Sequence, residues 1–306
     1  MRRPMTSLHR SLPVDAPYQL LESWRLVPLG RHDPSVRRVS SELGWATHTP
    51  EGPATVRMAP HPSRVELTAW GPGAAWLLER APAFTGLAHA PPALADSEPM
   101  RRLARAGASC RLVCLPNLFE SLVRVILQQK ITFGEACRGW GLLVHQLGTE
   151  APGPLGLRLP PHPTQVARAP GHLFTRMGIQ RPMVETIREV AVRYRAIERA
   201  AATKTPEALG TLLQRIRGVG PWTTGMVLGL YRAHGDAVIL ADYHLPHTVA
   251  FALTGAPRGS DDRMLDLLEP YRPHRMWVVR WIHAARIQAP RRGPRMAAQP
   301  LPGARR

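Results

Sequence analysis

The stretch Leu212-Leu213-Gln214-Arg215-Ile216-Arg217-Gly218-Val219-Gly220-Pro221-Trp222-Thr223 decides the fold. Leu209, Leu212, Leu213 and Ile216 recur at helical core spacing behind the capping pair Thr205-Pro206, and Pro221 opens a second helix. Gly218 and Gly220 between them predict a tight hairpin. Such a turn takes glycine because its backbone visits positive φ and lies too close to a partner for a Cβ. Its exposed amides, with the positive end of the second helix, form a site for an anion. Further on, the apolar run Ala237-Val238-Ile239-Leu240 delivers a lone acid in Ala241-Asp242-Tyr243. An Asp in such a place is ordinarily a helix cap or a surface acid. Its distance from the hairpin makes Asp242 a catalytic candidate.

The charge names the anion. The chain has 306 residues, 44% of them apolar, enough for one large domain or two ordinary ones. A formal net charge of +18 favours a polyanionic partner, with nucleic acid the leading class. Arginine supplies nearly all of it, since Lys130 and Lys204 are the only lysines. A DNA phosphate at the hairpin would be gripped by the amides of Gly218 and Gly220 and by the amide or hydroxyl of Thr223. Such contacts read no base sequence. The carbonyls of Gln214, Ile216 and Val219 are candidate donors to a structural monovalent cation.

Cys110, Cys114 and Cys137 are odd in number and form no CxxC pair. That argues against a disulfide framework and an iron–sulfur cluster, and for a reducing compartment. Met1-Arg2-Arg3-Pro4 leads into no apolar core, and the uncharged run 218–231 is too short to span a bilayer. The expectation is a cytoplasmic, nucleoid-associated monomer with no membrane partner and no required cofactor.

The sequence predicts a basic flexible N-terminus at 1–17, a small α+β domain at 18–110, a helical domain at 111–288 and a basic disordered tail at 289–306. Val65-Glu66-Leu67-Thr68-Ala69 alternates apolar and polar, and Thr55-Val56-Arg57-Met58 precedes it across His61-Pro62-Ser63, so the two predict a hairpin. A short helix follows at 74–79. Asn117 with Glu120 caps a helix whose Phe119, Leu122, Val123, Ile126 and Leu127 share one face. Ile187, Val190, Tyr194 and Ile197 carry another helix, Ser260-Asp261 starts one, and the last covers 275–287.

The segment from Leu213 to Met226, with Asp242-Tyr243, resembles the helix-hairpin-helix DNA glycosylase superfamily. Phe119-Glu120-Ser121-Leu122-Val123-Arg124-Val125-Ile126-Leu127-Gln128-Gln129-Lys130 resembles the helix and loop that this superfamily inserts at a lesion. The branch most similar is the alkylbase type, DNA-3-methyladenine glycosylase II, with weak similarity from Thr47-His48-Thr49-Pro50-Glu51-Gly52 to Trp281. The resemblance implies a mainly α fold, α+β overall, with a small α+β domain ahead of the helical one. It implies a base-excision enzyme that removes alkylated purines from damaged duplex DNA and leaves an abasic site. Other oxidised or deaminated lesions, or a non-catalytic DNA-binding protein, are the alternatives.

An ionised Asp242 would stabilise oxocarbenium charge on the deoxyribose. Trp222 and Tyr243 would hold the extruded base by stacking. Met226 falls where the branch often has tyrosine, and His274 where it often stacks tryptophan. Gln129 and Lys130 occupy the loop that fills the gap, where an apolar wedge is usual. Members that also nick DNA place a lysine two residues after the second glycine. Trp222 stands there, which implies a monofunctional enzyme.

Overall fold

The computed structural model describes residues 6–14, 17–27 and 33–290. Met1-Arg2-Arg3-Pro4 and the tail arginines Arg291, Arg292, Arg295, Arg305 and Arg306 lie outside the described residues.

The N-terminal part is a five-stranded antiparallel sheet in the order β1-β5-β4-β3-β2. Its strands are β1 (Ser7–Pro13), β2 (Val36–Val39), β3 (Glu42–Thr49), β4 (Gly52–His61) and β5 (Arg64–Trp70). The β4–β5 hairpin turns at Pro62-Ser63, with His61 opposite Arg64 and Met58 opposite Leu67, as its alternation predicts. The segment 1–17 is not uniformly flexible: Ser7 to Pro13 pair with Trp70 to Arg64 and form an edge strand. Backbone pairing recruits this polar, Pro-containing segment, and its side chains carry little of the signal. Helix α1 (Leu20–Ser23), α2 (Ala74–Glu79) and α3 (Ala81–Thr85) complete this part. Trp24, Trp45 and Phe84 meet edge to face in its core, at centroid separations of 5.4 and 5.6 Å.

The remainder is helical: α4 (Glu98–Gly107), α5 (Leu118–Ile126), α6 (Phe133–Leu147), α7 (Pro163–Arg168), α8 (Gly171–Arg176), α9 (Arg181–Thr203), α10 (Pro206–Leu213), α11 (Pro221–Tyr231), α12 (Leu245–Thr254), α13 (Asp261–Leu268) and α14 (Arg275–Ala284). A two-stranded ladder, β6 (Thr149–Glu150) with β7 (Arg158–Leu159), closes the Pro- and Gly-containing loop 151–157. Helix α5 packs on α9 and α11, whereas α4, α12, α13 and α14 pack among themselves. Helix α4 thus belongs to the helical body although it precedes residue 111.

Helix α5 departs from the single apolar face expected of it, because all nine of its residues are buried. Asn117 caps it by accepting the Glu120 amide at 2.9 Å. The Glu120 side chain turns inward and accepts the Thr47 hydroxyl at 2.9 Å. Arg124 bonds Glu120 at 2.9 Å and Asp33 at 2.7 Å, both fully buried, and its guanidinium stacks 3.8 Å from the Trp140 ring centroid. Burial alone would raise the Asp33 carboxyl, but Arg124 and the Ser35 hydroxyl hold it below its usual value. Burial wins at Glu120, which is pushed up despite the same arginine. Two charged residues can occupy a buried helix here because each brings a partner. The network joins the sheet to α5.

Candidate active site

Helix α10 ends at the hairpin and α11 leaves it, as expected from the glycines. The two glycines do different work. Gly218 has φ +85°, and a Cβ there would lie 2.2 Å from the Thr186 hydroxyl, which donates to the Arg217 carbonyl at 3.1 Å. Gly220 is extended at φ −101°, and a Cβ would meet nothing within 4 Å. The first glycine is there for the chain and the second leaves open space at the surface. Residues Gln214 to Gly220 line a cup of about 440 Å³, flanked by the exposed Arg215 and Arg217. First-turn amides of α11 have no intrahelical acceptor, so this end of the helix suits an anion.

Thr223 contributes to such a site only through its amide. Its side chain is buried, and its hydroxyl accepts the Gln129 amide at 2.8 Å. The same Gln129 nitrogen donates to the Gly218 carbonyl at 2.8 Å. Lys130 follows, exposed and at φ +56°. Of the cation-donor carbonyls, that of Ile216 already accepts the Val219 amide at 3.0 Å. Among the described residues no three His, Cys, Asp or Glu side chains gather as a metal site.

Asp242 is placed by close packing. Gly225 of α11 faces the 237–240 run so closely that a Cβ would sit 2.3 Å from the Val238 carbonyl. This brings Asp242 back beside the start of α11. The Trp222 indole donates to its Oδ2 at 2.8 Å, and the His244 and Leu245 amides donate to its Oδ1, each at 2.8 Å. The acid therefore does engage the start of α12, through the amides of its N-cap His244 and first residue Leu245, while keeping its carboxylate half-exposed. A carboxylate at a helix N-terminus is favoured by the amides it faces.

Two residues of this neighbourhood carry no motif. Ala241 is left-handed at φ +57°, and its amide donates to Asp261 Oδ2 at 2.8 Å, so Asp261 at the start of α13 holds the kink that presents Asp242. His283, near the end of α14, feels the Asp242 charge. Burial, reinforced by the Arg280 and Arg25 charges and opposed by Asp242, lowers His283 to about 4. It is a neutral imidazole at neutral pH. A 3.6-residue apolar period cannot reveal either residue, because both act across long sequence separations.

The base-pocket candidates are not all together. Trp222 and Met226 are half-buried and one turn apart on α11. Tyr243 is 77% exposed, edge to face with His244 at 4.8 Å. His274 caps the other end of α14, beside the Arg275–Asp236 ion pair, roughly 13 Å along the helix from His283. A groove of about 510 Å³ between α4 and the C-terminal end of α12 lies a helix length from Asp242.

No family model matches the chain, and no curated protein resembles it significantly. Solved structures do. It superposes on the 3-methyladenine DNA glycosylase of Archaeoglobus fulgidus with a TM-score of 0.78 at 16% identity, over 90% of this chain and 98% of that one. The Clostridium acetobutylicum 8-oxoguanine glycosylase/lyase, in complex with duplex DNA holding cytosine opposite 8-oxoG, gives 0.71 at 11% identity, over 90% and 97%. The Schizosaccharomyces pombe 3-methyladenine DNA glycosylase, in complex with abasic DNA, gives 0.51 at 16% identity, over 61% and 90%. Hairpin, helical body and N-terminal sheet together make this the fold of the helix-hairpin-helix DNA glycosylases.

Proposed function

We propose that this chain is a monofunctional DNA glycosylase that hydrolyses the N-glycosidic bond of alkylated purines in duplex DNA. The observation that carries the reading is Asp242, held by two backbone amides at the start of α12 and one indole beside a hairpin cup suited to phosphate. With the strand gripped at the cup, a carboxylate so held can face the anomeric carbon of an extruded nucleotide. It stabilises the oxocarbenium charge that grows as the base departs, and it orients water onto that carbon.

An alkylated purine such as 3-methyladenine already carries positive charge, so it leaves without strong general acid assistance. The Asp261 carboxylate accepts the Ala241 amide, which suits it to holding the backbone. An electron-poor ring is also the one that Trp222 and Tyr243 attract most by stacking. A monovalent cation on the Gln214, Ile216 and Val219 carbonyls would stiffen the cup.

The test is base release from duplexes bearing alkylated, oxidised or deaminated bases, with wild type and Asp242→Asn. Wild type should release alkylated purines and leave alkali-labile abasic sites, with no borohydride-trapped adduct. Asp242→Asn should lose about 100-fold or more while still binding DNA. Release of only oxidised or deaminated bases would replace the substrate. Binding with no release from any duplex would leave a non-catalytic DNA-binding protein.

A further inference from the structure

The end of α14 carries an arrangement that neither the hairpin nor Asp242 explains. Arg286 follows the helix at φ +56°, with its amide donating to the His283 carbonyl at 3.1 Å. The next amide, of Ile287, donates to the Ile282 carbonyl at 3.3 Å. This is the left-handed position after a helix where glycine is ordinarily found. The arginine that stands there reaches α1, where its Nη2 lies 3.6 Å from Glu22 Oε1. Arg25 Nη1 donates to the other oxygen, Glu22 Oε2, at 3.2 Å. One carboxylate thus holds one guanidinium on each oxygen, the first from the end of the helical part and the second from the N-terminal part.

The backbone under this bridge is fixed, and the bridge itself is loose. Trp24 is fully buried and its indole donates to the Phe84 carbonyl at 2.8 Å, while the Arg111 amide donates to the Ser23 hydroxyl at 3.0 Å. The side chains above stand in solvent, Arg286 at 71% exposure, and ion pairs so exposed are weak. Arginine holds phosphate through charge-assisted, often bidentate bonds, so a phosphate can take the place of this carboxylate.

The bridge also faces the site. His283, three residues before Arg286, feels the charges of both Asp242 and Arg25. Arg280, a further turn back, is buried, and its Nε and Nη1 have no hydrogen-bond partner among the described residues, so positive charge is in excess here. The bridge therefore lies on the α14 side of Asp242, whereas Trp222 and the hairpin cup lie on its α11 side.

We propose, resting on the DNA partner of the proposed function, that Arg25 and Arg286 form a second DNA phosphate site, and that Glu22 occupies it in the free protein as an internal anion that DNA displaces. An extruded nucleotide has a phosphate on each side of its sugar. One held at the hairpin and one held here would fix that sugar over Asp242 from both flanks. Until DNA arrives, Glu22 keeps both guanidiniums in place and lowers the affinity for every duplex.

The experiment measures affinity for an intact duplex against salt concentration, with each variant checked by thermal melting. Arg25→Ala and Arg286→Ala should each weaken binding about fivefold, and the slope of log affinity against log salt should become shallower by up to about 1. Glu22→Gln keeps the shape and removes the charge, so it should strengthen binding about threefold. Glu51→Gln, at an exposed acid in the β3–β4 turn, removes the same charge elsewhere and should change affinity less. In a chain carrying both Arg25→Ala and Arg286→Ala, Glu22→Gln should bring no gain, because the site it vacates is gone. Unchanged binding in either arginine variant would overturn the proposal. So would a Glu22→Gln gain that matches Glu51→Gln or survives the loss of both arginines. A lower melting temperature for Glu22→Gln without tighter binding would likewise overturn it and leave a tie between α1 and α14. Base release is scored separately. Arginine-dependent binding with no release would sink the glycosylase reading and leave this site standing, and release with indifferent arginines would do the reverse.

Discussion

The Trp222 indole N–H donates to Asp242 Oδ2 across 2.8 Å, linking the first turn of α11 to the acid 20 residues later. The aromatic residue that sequence marks as a stacking plate is thereby also a donor that fixes the direction of the carboxylate. Those two roles separate experimentally. Trp222→Phe keeps a ring and loses the hydrogen bond, so kcat should fall about tenfold while KM changes little. Trp222→Ala should lower kcat and raise KM together. Equal kinetics for wild type and Trp222→Phe would leave the indole as a plate only.

The two hairpin glycines should fail differently. Gly218→Ala meets both a strained φ and the Thr186 hydroxyl, so it should destabilise the fold by about 1–3 kcal/mol. Gly220→Ala has room and an ordinary backbone, so thermal melting should shift little. Its added methyl stands in the open space by the cup, so affinity for intact and damaged duplexes should fall by similar factors. A drop confined to damaged duplex would place Gly220 at the base and away from the phosphate.

His283 makes stability depend on acid. It binds a proton near 6.5 in the unfolded chain and near 4 in the fold. The unfolded state therefore takes up protons first as pH falls. Stability fully present above 6.5 is lost progressively down to about 4, by up to about 3 kcal/mol from this residue. Burial lowers His48 and His162 as well, and they act in the same direction. Denaturant melts at pH 7 and pH 5 should show a smaller difference for His283→Gln than for wild type. An equal difference would mean that the imidazole accepts its proton inside the fold.

The buried network around Arg124 should be asymmetric. Arg124→Met leaves Asp33 and Glu120 buried without their shared cation, which should cost about 3–5 kcal/mol. Asp33 is held below its usual pKa and Glu120 above. Neutralising Asp33 should therefore cost more than neutralising Glu120. Urea melts of Asp33→Asn and Glu120→Gln at pH 7 rank the two, and the reverse order would contradict the assigned directions.

Much of this architecture is written locally. The hairpin, the Thr205 cap, the β4–β5 pair and the start of α13 each come from a few neighbouring residues whose chemistry has one cheap backbone solution. What stays hidden depends on partners far along the chain. The edge strand at Ser7–Pro13 exists because Arg64–Trp70 offers it an open ladder. Asp261 matters through an amide 20 residues earlier, and Gln129 through a carbonyl 89 residues later. His274 stands out in sequence for its place in a resemblance. Helix geometry puts it at the far end of α14 from the imidazole that feels Asp242.

The ion network beneath α5 also bears on how the molecule can be cut. Thr47 of β3, and Ser35 and Asp33 in the turn that leads into β2, belong to the N-terminal part, and they complete the coordination of two side chains on a helix of the other part. A fragment beginning at α4 would carry Glu120 and Arg124 with half their partners gone and their lodging opened to water. The boundary visible in the order of strands and helices is therefore not a seam. An engineer wanting the helical part alone would have to rewrite positions 120 and 124 as well as trim the chain. Transplanting the sheet onto another helical body would require the recipient to offer an arginine at the same turn.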